Sequence, residues 1–167
     1  RNVAINMLAP CGTTSIILNT SSSLEPIFAP VYKRKYRKGE TLYQEILVDP
    51  LFEEYLKKNE VPDHFVGAYD ISVEEHLKVL STAQNYLCMS ISKTCNIPKD
   101  FKNDQLADLI LQYIPFIKSL TLYREGSRKD EPLEPIRIGS EEFNKVIKEK
   151  YAIETSAQEC LTGVCEI

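Results

Sequence analysis

A short apolar run stops abruptly at a proline and a glycine near the start of the chain, and this junction most constrains the fold. Residues 3–8 (VAINML) are mostly apolar and rich in β-forming side chains, the pattern of a strand that is buried on both faces. The following APCGTTS segment is small and rich in hydroxyl groups, which is typical of a turn that opens a helix. The sequence therefore predicts a strand, a turn and a helix that runs to Leu18.

Two interpretations of this turn stay open on the residues alone. The first turn of a helix carries unpaired backbone N–H groups and the positive end of the helix dipole, which together suit an anion. Cys11, Gly12, Thr13 and Thr14 could present amides and hydroxyls to a phosphate group. Alternatively, Thr13 or Thr14 simply caps the helix.

The middle of the chain shows the sequence patterns of strands and helices in succession. VYKRKYR and TLYQEIL flank the turn Lys38-Gly39-Glu40 and predict a hairpin, with helices expected in PLFEEYLKKN, SVEEHLKVLSTAQNYL and NDQLADLILQYI. Ser72 and Glu75 form a capping-box pattern, Asn103 or Asp104 is expected to cap the third helix, and Pro115 should interrupt it. Residues 119–123 (SLTLY) alternate like a strand. This order predicts an α/β architecture whose inner strands are residues 3–8 and 119–123.

The composition changes after Arg128, where charged residues and Glu-Pro breaks replace apolar runs. We expect residues 1–128 to form the folded domain and residues 129–167 to be a mobile tail. One short helix is expected there from Ser140 to Tyr151, with Ser140 as its cap and with Phe143, Val146 and Ile147 on one face.

Composition narrows the class of protein. A chain of 167 residues with 43% hydrophobic content suits one modest domain, and no apolar run approaches the roughly 20 residues of a membrane helix. The net charge of -4 argues against a general nucleic-acid surface, so the basic residues 33–38 are interpreted as the exposed face of the hairpin. An odd number of cysteines, five, without a leader peptide favours a reducing compartment, and we expect a soluble, cytoplasmic protein.

The cysteines and histidines divide into two groups. Cys88 and Cys95 are expected to be buried as small hydrophobic side chains, and His64 and His76 to pack rather than to catalyse. Cys160 and Cys165 differ, because they lie in the terminal ECLTGVCEI with four residues between them. Such a pair could close a small disulfide loop and exchange with a thiol partner, although accidental placement of two cysteines is the plainer alternative. No metal site is expected, since no further ligand lies near this pair.

Several short sequence blocks, taken in their order along the chain, resemble a known family, although no single block does so by itself. LAPCGTTS, NTSSSLEPIFA, the basic hairpin, SISKTCNIP, SLTLYREGSR and CLTGVC together resemble the C-terminal part of the large, catalytic chain of ribonucleotide reductases. ISKTCNIP at 91–98 and the pair Tyr123-Arg124 look most like the adenosylcobalamin-dependent class. Oxygen-dependent members have adjacent tyrosines where this chain has one.

The resemblance implies a fold, a site and partners. The fold would be the C-terminal portion of a ten-stranded α/β barrel with a flexible C-terminal tail, and Pro10, Cys11, Gly12, Thr13 and Thr14 would hold the phosphates of a ribonucleotide. Cys11 stands where a threonine or serine is usual, which removes one hydroxyl donor. Cys160 and Cys165 would be the dithiol that reduces the active-site disulfide and is itself reduced by a thioredoxin- or glutaredoxin-type protein.

The resemblance also implies what this chain lacks. The family's radical cysteine, its partners and the two cysteines that reduce the sugar lie upstream of the matched region. We therefore expect the chain to be inactive without the upstream part of the catalytic subunit, which would also bind most of the adenosylcobalamin. The alternative function is a stand-alone phosphate-binding or thiol-redox module that is derived from a reductase and has no catalysis of its own.

Overall fold

The computed structural model describes residues 1–18, 20–58, 60–61, 64–127, 131 and 133–150. The chain divides into two compact units, one formed by Arg1–Phe28 with Val66–Glu131 and the other by Ala29–Phe65 with Pro132–Ile167. Helices and strands occur in both units, so the fold is α/β as predicted. Within the part of the chain that is described, none of the helices has the length and apolar character needed to cross a membrane.

The first unit contains three helices and a pair of parallel strands. In chain order these are α1 (Gly12–Leu18), α3 (Val73–Gln84), β3 (Thr94–Ile97), α4 (Asn103–Tyr113) and β4 (Thr121–Arg124). β3 and β4 pair in parallel with Thr94 opposite Thr121. The core of the unit lies between α3 and β3 and contains Val73, Leu77, Cys95 and Ile97. The predicted strand near residues 119–123 is confirmed, whereas β3 was not predicted.

The prediction of a buried strand at residues 3–8 is wrong. The described structure gives this segment a single parallel bridge, between Leu8 and Ile91, and leaves Val3 fully exposed and Ile5 78% exposed. Its carbonyls still accept two bonds from one neighbouring segment, from Met89 N–H to Asn6 and from Ser92 N–H to Leu8. A strand is buried only when neighbours cover both of its faces, and the described residues place a neighbour along one edge alone.

The second unit is built on the predicted hairpin. β1 (Val31–Lys38) pairs antiparallel with β2 (Thr41–Val48) and with β5 (Leu133–Pro135), in the order β2-β1-β5. α2 (Pro50–Leu56) and the helix over 141–150, here α5, complete the unit. Its core contains Val31, Phe52, Leu56, Ile136, Phe143 and Val146. β5 was not predicted, and the predicted boundary at Arg128 between a domain and a tail stays a prediction.

Three basic residues of the hairpin form ion pairs with neighbouring acids. Lys33 pairs with Glu142, Lys35 pairs with Glu134, and Arg34 lies 3.6 Å from Glu45. The two-residue turn has Gly39 at φ +66°, a conformation that glycine adopts without strain. The basic residues 33–38 thus lie on a largely exposed strand, as the sequence predicts, and the ion pairs were not predicted.

Helix starts follow the sequence at α3 and α5 and depart from it at α4. Ser72 and Glu75 form the predicted capping box of α3, and the Ser140 hydroxyl accepts from Phe143 N–H at the start of α5. α4 instead begins after Lys102, which makes no side-chain cap, so neither Asn103 nor Asp104 is the capping residue. Pro115 does end α4 as predicted, because the chain tightens into a 3-10 turn at Ile114–Phe116.

Candidate functional site

The candidate phosphate-binding turn lies at the surface of the first unit. The Cys11 carbonyl accepts from Ser15 N–H at 2.8 Å, so α1 begins at Gly12 and its first turn is Gly12-Thr13-Thr14. An α-helix leaves the N–H groups of its first turn without intrahelical partners. Pro10, Gly12, Thr13 and Thr14 are all exposed, and no atom lies within 4 Å of the position that a Cβ on Gly12 would take. The turn therefore offers amides and hydroxyls to solvent on an open surface.

The expectation that Thr13 or Thr14 caps α1 is wrong. Both lie inside the first turn, and the residue before the helix is Cys11. The Cys11 thiol contacts the Ser22 hydroxyl, with 3.6 Å between sulfur and oxygen. Behind the turn, the buried Ser15 hydroxyl donates to the Gly12 carbonyl at 2.7 Å. Cys11 and Ser15 thus hold the turn from within, while the two threonine side chains stay exposed.

A buried lysine lies at the centre of a polar network in the same unit. The Lys93 ammonium, 3% exposed, donates to three acceptors, which are Glu25 Oε2 at 3.3 Å, His76 Nδ1 at 3.0 Å and the Thr94 carbonyl at 3.0 Å. An ammonium has three donors, so the group is fully satisfied. Glu25 also accepts from Thr94 N–H through its other carboxylate oxygen.

The neighbours of His76 determine its protonation state. Nε2 lies 2.8 Å from the Ala68 carbonyl, which can only accept, and Nδ1 faces the Lys93 ammonium, which can only donate. The ring is therefore neutral, with its proton on Nε2. Burial, followed by the Lys93 charge, lowers the pKa of His76, whereas the Ala68 carbonyl and Glu25 act in the opposite direction. The expectation that His76 packs rather than catalyses agrees with this geometry.

Sequence reasoning missed the roles of Lys93 and Glu25. Both residues lie in blocks that carried the family resemblance, SISKTCNIP and NTSSSLEPIFA, but 68 positions separate them. The one signal available was a lysine flanked at two positions on either side by the apolar residues Ile91 and Cys95.

The two cysteines that were expected to be buried behave differently. Cys95 is buried, and burial raises the pKa of its thiol to about 11. Cys88 is exposed, so the expectation that it is a buried small hydrophobe is wrong. Hydrogen bonding from the Ile5 backbone, aided by Asn6 and by the charge of Lys118, lowers the pKa of the Cys88 thiol. The residue sits at the turn after α3, beside the uncovered segment 3–8, where nothing in the described structure encloses it.

Arg124, the second residue of the pair Tyr123-Arg124, has a structural role at the end of β4. The Arg124 guanidinium donates to the carbonyls of Pro98, Lys99 and Phe101 and to Asn103 Oδ1, at 2.7–3.3 Å. These bonds tie β4 to the loop before α4. A shallow depression of about 400 Å³ lies there, lined by Lys99, Asp100, Phe101, Lys102, Asn103 and Arg124.

The proposed dithiol lies outside the described residues, since Cys160 and Cys165 fall within 151–167. Among residues that are described, no three histidine, cysteine or acidic side chains converge on a position that could hold a metal ion. Of the site residues predicted from the sequence, the described structure therefore includes the contiguous turn at residues 10–14.

Comparisons with known proteins agree with this arrangement of blocks. The family model described as "Ribonucleotide reductase, barrel domain" matches residues 1–123. The vitamin B12-dependent ribonucleoside-diphosphate reductase of Thermoplasma acidophilum is 30% identical over 179 aligned positions, which cover 92% of this chain and 22% of that protein. The protein of the same name from Mycobacterium tuberculosis is 25% identical and is matched over 80% of this chain and 22% of its own length.

A solved structure extends the comparison to the fold. The crystal structure of a B12-dependent, class II ribonucleotide reductase aligns with a TM-score of 0.55 and 19% identity, and covers 88% of this chain and 24% of that one. At this identity the likeness concerns the fold. The chain thus spans about a quarter or less of the length of the relatives that it matches.

Proposed function

The chain belongs to the ribonucleotide reductase barrel-domain family, and we propose on this premise that it is part of a reductase catalytic subunit that holds the phosphates of a ribonucleotide substrate. The subunit would reduce ribonucleotides to deoxyribonucleotides by radical chemistry. The observation that carries the proposal is the family match over residues 1–123, which includes the exposed turn at residues 10–14. The chain would form the C-terminal portion of the family's ten-stranded α/β barrel.

The geometry of the turn supports phosphate binding. Gly12, Thr13 and Thr14 supply backbone amides at the positive end of a helix together with two exposed hydroxyls, and an anion is stabilised by both. Cys11 contributes its amide, while its thiol contacts the Ser22 hydroxyl. By fixing the phosphates, the turn would orient the sugar for reaction without taking part in the chemistry.

We propose that Cys160 and Cys165 are the dithiol shuttle. In each turnover the two thiols would transfer two electrons and two protons to the active-site disulfide and become a disulfide themselves. A thioredoxin- or glutaredoxin-type dithiol would then return the electrons and protons by thiol–disulfide exchange. This cycle requires a reducing compartment, in agreement with the proposal of a cytoplasmic protein.

We propose that adenosylcobalamin is bound mainly by parts of the reductase outside this chain. The buried His76 uses both ring nitrogens in hydrogen bonds and is therefore not free to coordinate cobalt. The depression beside Arg124 has a volume of about 400 Å³. Pockets of about 300–1,000 Å³ hold drug-sized ligands, and a corrinoid is larger than those ligands, so the depression does not fit it. When bound elsewhere in the enzyme, the cofactor would supply the radical.

An activity measurement tests the proposal. Reductase activity is measured with a ribonucleotide, adenosylcobalamin and a dithiol, first with this chain alone and then with the upstream part of the catalytic subunit. We expect activity in the mixture only, and we expect the double substitution Cys160→Ser/Cys165→Ser to abolish turnover with a thioredoxin-type reductant. Binding of a nucleotide by the free chain, without activity in any mixture, would instead support the stand-alone module.

A further inference from the structure

Both flanks of the proposed phosphate turn are attached to the same short segment, residues 91–94. Before the turn, Leu8 bridges Ile91, and its carbonyl accepts from Ser92 N–H at 2.9 Å. After the turn, Glu25 accepts from Thr94 N–H and from the Lys93 ammonium. The turn and α1 therefore lie between two points, Leu8 and Glu25, that are both fixed to residues 91–94 at the start of β3.

The attachment at Glu25 continues to the turn through a tight bend. Glu25 N–H donates to the Ser22 carbonyl at 2.8 Å, which closes a bend at residues 22–25. The Ser22 hydroxyl in turn contacts the Cys11 thiol at 3.6 Å, immediately before the first turn of α1. A displacement of Glu25 would thus be passed to Cys11 through a single residue, Ser22.

Lys93 holds Glu25 in one position. Its ammonium is almost completely buried, and each of its three donors has a fixed acceptor, of which one is the neutral ring of His76. His76 is itself fixed by the Ala68 carbonyl and by its place on α3. A buried charge with a complete set of partners resists movement, because any shift leaves that charge unpaired.

We propose that Lys93 is a positioning residue for substrate binding, which acts through Glu25 and Ser22 to fix the phosphate turn at Pro10, Cys11, Gly12, Thr13 and Thr14. The proposal rests on the proposed function of that turn. Lys93 does not touch the substrate. It determines where the amides of the turn point, and its loss should weaken the hold on phosphate without altering the reacting groups.

The test uses the complete reductase that contains this chain. Lys93→Met keeps the length of the side chain and removes its charge, and Lys78→Met is the matched control, since Lys78 is exposed on α3. KM and kcat are measured with a ribonucleoside diphosphate, and the inhibition constant is measured with the corresponding nucleoside, which lacks phosphate. We expect Lys93→Met to raise KM about tenfold, to change kcat less than twofold and to leave the nucleoside constant unchanged.

Two results would overturn the inference. One is a KM for Lys93→Met within twofold of the parent enzyme, and the other is an equal rise in KM and in the nucleoside constant, which would indicate general damage to the fold. If Lys93→Met does not fold, Glu25→Gln decides by the same criteria, with an expected rise in KM of about threefold, because Glu25 is partly exposed and keeps an oxygen for Thr94 N–H.

A third variant separates this inference from the proposed function. Thr13→Val/Thr14→Val removes two hydroxyls from the turn and leaves the Lys93 network intact. A raised KM in this variant together with an unchanged KM in Lys93→Met would refute the positioning role alone. An unchanged KM in both variants would leave neither the hydroxyls nor the position of the amides with a role, and would refute phosphate binding by the turn, and the inference with it.

Discussion

Ser23 is the one described residue other than glycine whose backbone φ is positive, at +53°. Its hydroxyl is also buried without a hydrogen-bond partner among the described residues. The left-handed conformation costs an L-residue about 1–2 kcal/mol, and a buried unsatisfied hydroxyl costs a further 1–3 kcal/mol. Glycine would remove both costs and would add about 1 kcal/mol of backbone entropy to the unfolded state.

Ser23→Gly should therefore raise the free energy of unfolding by about 1 kcal/mol. For a chain of this size, that gain corresponds to a rise in Tm of about 2–4 °C. Thermal denaturation followed by circular dichroism measures the change. Ser21→Gly is the control, because Ser21 is exposed and its φ is not positive, and it should lower Tm slightly. A lower Tm for Ser23→Gly would show that the serine side chain stabilises the bend at residues 22–25.

At the scale of residues, the sequence predicted local turns better than distant hydrogen-bond partners. The turn at residues 10–14 was located because its residue types are informative where they stand. The bond between Lys93 and Glu25 was not, because it joins residues 68 positions apart. A single sequence shows which side chains are costly to bury, but it does not show which distant group will satisfy them.

The start of α3 is the best-defined helix terminus in the described structure. The Ser72 hydroxyl accepts from Glu75 N–H at 3.2 Å, and the Glu75 carboxylate accepts from Ser72 N–H at 2.9 Å. The Ser72 hydroxyl also donates to the Glu75 carboxylate at 2.7 Å, and this bond, followed by the bond from Ser72 N–H, lowers the pKa of Glu75. Because α3 carries the buried Val73, His76 and Leu77, its first turn supports the core of the first unit.

Ser72→Ala should lower the free energy of unfolding by about 1 kcal/mol, the usual cost of losing an N-cap side chain. Chemical denaturation at pH 7 measures the loss as a lower midpoint. Ser81→Ala in the same helix is the matched control, because the Ser81 hydroxyl bonds only the Lys78 carbonyl within the helix and alanine has the higher helix propensity. If both variants lost the same stability, the capping box would have no special role.

Elements with local signals were predicted, and elements held by distant contacts were missed. The hairpin and α3 each have a local sequence signal, which is the glycine turn for the hairpin and the capping box for α3. β3 has no such local signal, since it is four residues long and mixes β-formers with Asn96 and a cysteine. It is a strand because β4 pairs with it and α3 covers it. Residues 3–8 are the reverse case, in which a strand-like sequence lacks the neighbours that would bury it.

At the scale of the whole molecule, apolar side chains are exposed in the segments that flank the phosphate turn. Val3 and Ile5 precede it, and Ile17 and Leu18 follow it at the end of α1. Patches of this kind mark surfaces that another chain or segment covers. In the proposed reductase the upstream part of the barrel would cover them.

The isolated chain should therefore self-associate, and Val3→Lys/Ile5→Lys should reduce that association. Burying a valine or an isoleucine is worth about 1.5–3 kcal/mol, so two charges on this segment should weaken self-association more than tenfold. Sedimentation velocity over a range of concentrations measures the change. The control, Gln105→Lys/Gln112→Lys, adds the same charge on the exposed face of α4 and should leave association unchanged.

Val3→Lys/Ile5→Lys should also fail to bind the upstream part, since one surface would serve both contacts. A parent chain that stays monomeric and unfolds in one cooperative transition would refute the argument, because a complete fold has no need of a partner to cover residues 3–8.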